Sequence, residues 1–138
     1  MEKFLIRNAI QCLNCNDIIE SIHRHDYVKC SCGGCMTDGG LDYIHRAHNP
    51  KVDFVELDLY STNPHSVIRN HVYRLGYGKV GNSDYGKFRK TMLNEMTDEH
   101  LAALLDYCQP NNKYLPIYKN EIEYRKQNNI KINEISDN

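Results

Sequence analysis

The sequence predicts an α+β fold in which a cysteine-rich part with a small antiparallel β-sheet is followed by about three α-helices. Two observations lead to this prediction. Five of the six cysteines fall within residues 12–35, and the spacing of apolar residues changes from alternation before residue 61 to a helical period after it. We therefore predict two regions, residues 1–60 and residues 61–138, which form two domains or one compact unit.

Short strands and tight turns account for the first region. In chain order, the predicted elements are a strand over 3–11, β-prone segments on either side of a turn at 23–26, a glycine turn at 36–40 and an extended segment over 41–48. In residues 52–60, Val55, Leu57 and Leu59 alternate with acidic residues. This alternation predicts a strand that buries the three aliphatic side chains.

Helices account for the second region. Asn63 as N-cap, followed by proline, predicts a helix over residues 63–76. Thr97 is the predicted N-cap of a second helix, and Pro116 begins a third that extends to about residue 128. The glycine-rich segment 77–88 is predicted to be an exposed loop. The third helix is expected to bury its apolar side chains Leu115, Tyr118 and Ile122.

Charge and hydropathy limit the function classes. The net charge is −1, with no basic excess in the cysteine-rich part, which disfavours a general nucleic-acid-binding role. No apolar run approaches the ~20 residues of a membrane-spanning helix, and the first residues lack the pattern of a signal peptide. We expect a cytoplasmic protein without membrane contact. Since cytosolic thiols stay reduced, the cysteines are predicted to bind metal rather than to form disulfides.

The cysteine spacing predicts a zinc ribbon. Cys12-x-x-Cys15 and Cys30-x-Cys32 are two thiolate pairs, separated by a segment long enough for a β-hairpin that brings them together. Four thiolates satisfy tetrahedral zinc and leave no open position. The predicted Zn²⁺ is therefore structural and supplies much of the folding free energy of this part.

The residues leave the second pair of ligands open. Gly33 after Cys32 favours Cys30 and Cys32, because a glycine often follows the last ligand of a ribbon. Cys32-x-x-Cys35 has the commoner spacing, with Gly33-Gly34 as its knuckle. Mixed ligation through His23 or His25 is a further alternative, and both histidines are also candidates for contacts with the zinc thiolates.

The first region also resembles a known family. Residues 6–46 contain IRNAIQC-x-x-C, DII, HRHD, C-x-CG and DGG-x-DY, a pattern similar to small phage and prophage proteins whose cysteine-rich domain has no known function. The resemblance implies a phage setting and the cytoplasm of an infected bacterium. It also implies that Cys35 is an extra cysteine, and that Asn16 stands at a glycine position where left-handed geometry is needed. It transfers no catalytic residue.

Two further groups of residues are candidates for function. His23, His25 and Asp26 have the composition of an acid–base site, although a hairpin turn explains them as well. A basic, tyrosine-containing stretch in and beside the glycine-rich segment is a candidate contact for a protein partner or for nucleic acid. This stretch begins with Tyr73 and Arg74, and the residues singled out in it are Tyr77, Lys79, Tyr85, Lys87, Arg89 and Lys90.

These observations lead to three hypotheses about function. The first is an accessory protein that binds a host protein and interferes with a defence or housekeeping system. It has no catalytic residues, so we do not predict an enzyme. The second is a nucleic-acid-binding zinc ribbon, and the third is a small hydrolase or nuclease that uses His23, His25 and Asp26. The sequence identifies neither the partner nor the oligomeric state.

Overall fold

The computed structural model describes residues 3–77 and 88–133, and of residues 75–77 and 88–90 it describes the backbone only. The predicted α+β fold is confirmed: small antiparallel sheets precede three helices. The chain divides into two compact units, Met1–Asn63 and Pro64–Asn138. Among the described residues, no helix combines the length and the apolar character needed to cross a membrane.

The first unit contains two small antiparallel sheets. The strands of the first sheet are β1 (Leu5–Cys12), β2 (Ile18–Ser21), β6 (Phe54–Glu56) and β7 (Leu59–Tyr60). The strands of the second are β3 (Val28–Lys29), β4 (Cys35–Asp38) and β5 (His45–His48). In the first sheet, β1 pairs with β2 on one side and with β6 on the other. Ile6, Asn8, Ile10 and Cys12 alternate along β1 and are all buried.

The core beside the cysteines is small. Its buried members are Ile10, Cys12, Ile19, Cys30 and Cys35. Only two of these side chains are large and aliphatic. Partly buried residues complete the cluster, namely Cys15, Val28, Val52 and Phe54.

The predicted burial in residues 52–60 is wrong for Val55, whereas Leu57 and Leu59 are half-buried. These residues form two short strands rather than one, and Val55 is 43% exposed, whereas the side chain of Asp58 is only 7% exposed. Asp58 is buried because its carboxylate accepts a 2.8 Å hydrogen bond from Arg46 Nη1 and another from the backbone N–H of Ala9. A paired, hydrogen-bonded charge can be buried at modest cost. Asp58 is therefore buried, although the alternation assigned the buried positions to the aliphatic side chains.

A buried amide holds the glycine turn against the sheet. Asn8 Nδ2 donates to the carbonyl oxygens of Gly40 (2.8 Å) and Asp38 (3.1 Å), and Asn8 Oδ1 accepts from Thr37 Oγ1 (2.7 Å) and Arg46 Nη2 (2.9 Å). Gly40 has φ +56°, and a Cβ there would lie 2.5 Å from the backbone of His23. This turn is therefore structural, as its sequence had suggested.

The second unit combines a hairpin with three helices. Its elements are α1 (His65–Ile68), β8 (Tyr73–Tyr77), β9 (Phe88–Met92), a 3₁₀ turn at Leu93–Glu95, α2 (Asp98–Tyr107) and α3 (Leu115–Gln127). As predicted, Thr97 caps α2, with its side chain accepting from the N–H of His100 at 3.0 Å. The helix predicted over residues 63–76 is wrong, because α1 ends at Ile68 and the chain becomes a strand at Tyr73. Tyr73 pairs with Met92 of β9, so a partner distant in sequence overrides the local helical period.

A buried carboxylate joins the helices of this unit. Glu121 has no exposed side-chain surface and accepts hydrogen bonds from His65 Nε2 (3.0 Å), Arg69 Nε (2.9 Å) and Arg125 Nε (2.8 Å). Arg125 also forms an ion pair with Asp98 at the start of α2. The buried face of α3 consists of Ile117, Tyr118, Glu121 and Arg125. The predicted face of Leu115, Tyr118 and Ile122 is thus correct only for Tyr118.

Candidate metal centre

The first cysteine pair lies on the turn that follows β1. The N–H of Cys12 donates to the carbonyl of Asp17 at 2.9 Å and closes this turn. Asn16 adopts φ +62°, the left-handed conformation expected at this position. Asparagine tolerates that conformation better than most residues do, so the turn forms without glycine.

The second pair lies between β3 and β4. The N–H of Gly33 donates to the carbonyl of Cys30 at 2.9 Å, and Gly33 itself has φ +72°. A Cβ at Gly34 would lie 3.0 Å from Val52 and 3.2 Å from Cys32 Sγ, so a small residue is needed there. The Asp17 carboxylate accepts from the N–H of Ser31 at 2.8 Å and ties this turn to the first one.

The four sulfurs meet at one point. The Sγ atoms of Cys12, Cys15, Cys30 and Cys32 all lie within 4.8 Å of one another. Cys32 Sγ is 3.7 Å from Cys12 Sγ and 3.6 Å from Cys30 Sγ. Tetrahedral zinc with Zn–S bonds of about 2.3 Å requires sulfurs about 3.8 Å apart. The arrangement therefore fits a four-thiolate metal site, and these four cysteines could hold a metal ion.

Local hydrogen bonds stabilise the two outer thiolates. The Ser31 side chain and the backbone N–H groups of Cys32 and Asp17 lower the pKa of Cys15 to about 6. The Asn14 side chain and the N–H of Gly34 lower the pKa of Cys32. Hydrogen bonds that favour the charged form of a thiol are what a metal ligand needs, because the metal binds the thiolate.

Burial acts in the opposite direction on the two inner thiols. Burial raises the pKa of Cys30. The N–H of Cys15 lowers the pKa of Cys12, but burial and the neighbouring thiols Cys15 and Cys32 outweigh it, so the pKa of Cys12 is raised. A divalent ion supplies the positive charge that would allow both inner thiols to ionise, and binding would release their protons.

Cys35 lies next to the site but outside the group of four sulfurs. It begins β4, and its side chain is buried with Ile10 and Ile19. Its backbone N–H donates to Cys30 Sγ at 3.3 Å, a contact that does not involve its own sulfur. The structure therefore groups Cys30, rather than Cys35, with Cys12, Cys15 and Cys32.

The histidines of residues 23–26 belong to a hairpin turn. The Asp26 carboxylate accepts from the N–H of Ile22 at 2.8 Å, and its Oδ1 lies 3.7 Å from His23 Nε2, beyond hydrogen-bonding distance. His25 has φ +65°, and its Nδ1 is 3.0 Å from the hydroxyl of Tyr43. Neither histidine is in the cysteine group, and this geometry favours the turn over an acid–base site.

The candidate contact stretch falls largely outside the described residues. Lys79, Tyr85 and Lys87 lie in the undescribed range 78–87. Tyr77 is at the end of β8, and Arg89 and Lys90 are in β9. Only the backbone of these three residues is described, so their part in binding stays a prediction.

Two features of the site's surroundings are not visible in the sequence. One is the Asp17 carboxylate that joins the two turns, and the other is the exposure of Ile18 and Val55 beside them, at 54% and 43%. No local signal identifies the first. The second depends on strand register, since both residues are paired with Gln11 of β1.

The four grouped cysteines lie inside a segment that matches a known domain family. Residues 4–48 match the family model of a domain of unknown function (DUF7695). The matched segment contains all four grouped cysteines, Cys35 and the turn at 23–26. The predicted resemblance to a domain of unknown function is thus confirmed for about the first third of the chain. No curated protein and no solved structure matches the chain.

Proposed function

We propose that the chain is a phage-type zinc-ribbon accessory protein that binds a protein of the bacterial host and so inhibits a defence or housekeeping system. The metal is structural in this proposal. Four cysteine ligands would complete the coordination of zinc and leave no position for a substrate or an activated water. Binding, rather than catalysis, is the role that a closed site of this kind supports.

An exposed apolar row on the first sheet carries the proposal. Gln11 of β1 is paired with Ile18 of β2 and with Val55 of β6. Residues directly opposite each other in a sheet project from the same face, so these three side chains form one row. Ile18 and Val55 are 54% and 43% exposed, and Leu13, just after β1, is 52% exposed. Exposed aliphatic side chains grouped on one face are typical of a surface that binds another protein.

The charges beside this row indicate the chemistry of the partner. Ile18 lies between Asp17 and Glu20, and Val55 lies between Asp53 and Glu56. Glu20 is paired with Arg7, and Glu56, which is 71% exposed, lies 3.6 Å from Arg46 Nη1. A second copy of the chain would bring like charges together, so the row is better matched to an apolar surface surrounded by lysine and arginine.

The metal centre and the row share the same backbone. The turn with Cys12 and Cys15 connects β1 to β2, and the N–H of Leu13 donates to the carbonyl of Asp53 at 2.9 Å. Metal binding at this turn would therefore fix the register that brings Ile18 and Val55 together. We expect that removal of zinc abolishes partner binding through the loss of this face.

The test is an affinity capture from a lysate of the bacterial host, with zinc-loaded protein and with nuclease treatment. The informative variant is Ile18→Thr with Val55→Thr, because threonine keeps the β-branched shape while it removes apolar surface. Val67→Thr in α1 is the matched control, since Val67 is similarly exposed at 41%. We expect one host protein to be retained by the native chain and by the control, released by salt, and lost with the double variant.

Two results would contradict the proposal. Retention of the same protein by the double variant would show that the row is not the docking face. Loss of all retained material after nuclease treatment would show that nucleic acid, and not a protein, is the partner.

A further inference from the structure

The second unit contains a cavity that the docking role does not use. It lies between β8 and the segment that connects α2 to α3, and its volume is about 440 Å³. This volume is within the range of about 300–1,000 Å³ that small-molecule sites occupy. The cavity is lined entirely by residues of the second unit, so it is independent of the exposed row in the first.

Aromatic rings form much of the cavity wall. Four tyrosines line it, namely Tyr73, Tyr107, Tyr114 and Tyr118. The rings of Tyr114 and Tyr118 are nearly parallel, with centroids 6.2 Å apart and an interplanar angle of 19°. Tyr118 is only 4% exposed, whereas Tyr107 is 78% exposed at the mouth of the cavity. Flat aromatic walls with one exposed ring suit a planar ligand that stacks.

Within the described part of the chain, the arginine in this cavity differs from four other arginines in its charged contacts. Arg7, Arg46, Arg69 and Arg125 each form an ion pair with a carboxylate. Arg74 is half-buried and lines the cavity, and its side chain forms no ion pair with a carboxylate of the residues that the structure describes. A partly desolvated guanidinium without a carboxylate is well placed to bind an anionic group of a ligand.

The position of Arg74 relative to the aromatic wall is also informative. Arg74 and Tyr118 line the same cavity. Burial raises the pKa of Tyr118, and the positive charge of Arg74 opposes this shift. The cationic group and the stacking surface are therefore neighbours within one cavity. A ligand that fills both must carry a planar ring and a negative charge a short distance apart.

Two amide side chains provide a third kind of contact. Gln109 and Asn112 lie on the segment between α2 and α3 and line the cavity. Asn112 Oδ1 accepts from the N–H of Tyr114 at 2.8 Å, whereas the Gln109 side chain has no hydrogen bond to any described residue. A free amide offers a donor and an acceptor in one plane, the arrangement that reads the edge of a nucleobase.

We propose that this cavity binds a nucleotide, with the base stacked on the tyrosines, its edge on Gln109 and its phosphate on Arg74. A free mononucleotide and a nucleotide within a single strand share this chemistry. The proposal does not rest on the docking function of the first unit. It shares Tyr73 and Arg74 with the stretch that the sequence predicts as a nucleic-acid contact, and it adds residues of α2, α3 and the segment between them.

The test is isothermal titration calorimetry with AMP, CMP, GMP and UMP, with the four corresponding nucleosides, and with eight-residue single-stranded oligonucleotides of each base. Tyr107→Ala should weaken binding by about 5- to 150-fold, the usual effect of removing one stacking aromatic. Because Tyr107 is 78% exposed, this variant should fold normally. Arg74→Gln should remove the preference for a nucleotide over its nucleoside.

Controls come from the first unit. Tyr27→Ala removes a tyrosine that is 53% exposed, and Arg24→Gln removes an exposed arginine, and neither should change binding by more than twofold. Equal affinity for mononucleotide and oligonucleotide would identify the free nucleotide as the ligand. Affinity at least tenfold higher for the oligonucleotide, with the same losses in both cavity variants, would identify a single strand. Failure of every probe to bind at millimolar concentration, or binding unchanged by both cavity variants, would overturn the proposal.

Discussion

Replacement of single cysteines tests which thiolates hold the metal. Cys30→Ser removes one of the four grouped sulfurs and the acceptor for the N–H of Cys35, whereas Cys35→Ala leaves all four sulfurs and that N–H in place. The two residues are equally suited to the comparison, because they are 4% and 1% exposed. The expected effects on the first unit differ greatly in size.

The structure allows both effects to be estimated. Structural zinc contributes about 10–16 kcal/mol to the folding of small zinc-finger peptides at pH 7. That is as large as the whole stability of a typical domain, about 5–15 kcal/mol, so loss of the metal should unfold the first unit. Cys35→Ala removes one buried sulfur and should cost about 1 kcal/mol, by analogy with other small truncations in a core. The expected zinc content is one per chain for Cys35→Ala and well below one for Cys30→Ser.

The measurements are zinc per chain by atomic emission after gel filtration, and amide hydrogen exchange of β1 as a report on the first unit. His23→Ala is a third variant, and it should retain one zinc because His23 is outside the cysteine group. Retention of zinc by Cys30→Ser together with its loss from Cys35→Ala would refute the assignment. In that case Cys32-x-x-Cys35 would be the second ligand pair.

Two further predictions concern stability. Burial alone would raise the pKa of Glu121, but hydrogen bonds from His65, Arg69 and Arg125 lower it to about 2 from 4.5, so Glu121→Gln should cost about 3 kcal/mol above pH 4.5. This loss of stability should shrink as the pH falls from 4.5 towards 2. Urea denaturation followed by helical circular dichroism measures the free energy of unfolding, and Glu123→Gln is the exposed control. A difference between Glu121→Gln and the native chain that does not change with pH would contradict the prediction. Asn16 has φ +62°, a conformation that is unfavourable for alanine but not for glycine. Asn16→Ala should therefore destabilise the zinc-loaded protein by about 1 kcal/mol, and Asn16→Gly should not. Equal urea midpoints for the two variants would disprove this explanation.

The arrangement of the cysteines could be predicted because it depends on short-range geometry. Two pairs on tight turns need only a hairpin between them to meet, and the sequence shows the spacing directly. The left-handed conformation of Asn16 is what the family resemblance implies, because a glycine stands at this position in the family pattern. Neither inference required knowledge of the remaining fold.

The hairpin of β8 and β9 could not be predicted, because the same residues satisfy two periods. Val67, Ile68, Val72 and Leu75 fit the apolar stripe of a helix, yet β8 begins at Tyr73. Its partner strand Phe88–Met92 lies beyond a glycine-rich segment, so the stabilising contacts are non-local. Short apolar runs are ambiguous between helix and strand when their partner is not known.

Buried charges account for the other failures. Hydropathy assigns Glu121, Arg125 and Asp58 to the surface, but each is held inside by partners from other elements. In α3 this shifts the buried face away from Leu115 and Ile122. In residues 52–60 it buries Asp58 and leaves Val55 exposed. Such ion pairs become visible only when the partner elements are known, because an unpaired charge would not be buried.

The burial of an ion pair while aliphatic side chains stay exposed also bears on the proposed docking face. A unit with only Ile10 and Ile19 as large aliphatic residues in its cysteine core would gain stability by burying Ile18 and Val55 as well. It buries the Arg46–Asp58 pair instead and leaves the two aliphatic residues on the outer face of the sheet. A bound metal would supply folding free energy, so the unit would be stable with Ile18 and Val55 outside its core. The apolar row is thus free to contact another molecule, which is why the metal centre and the docking face are expected to be lost together.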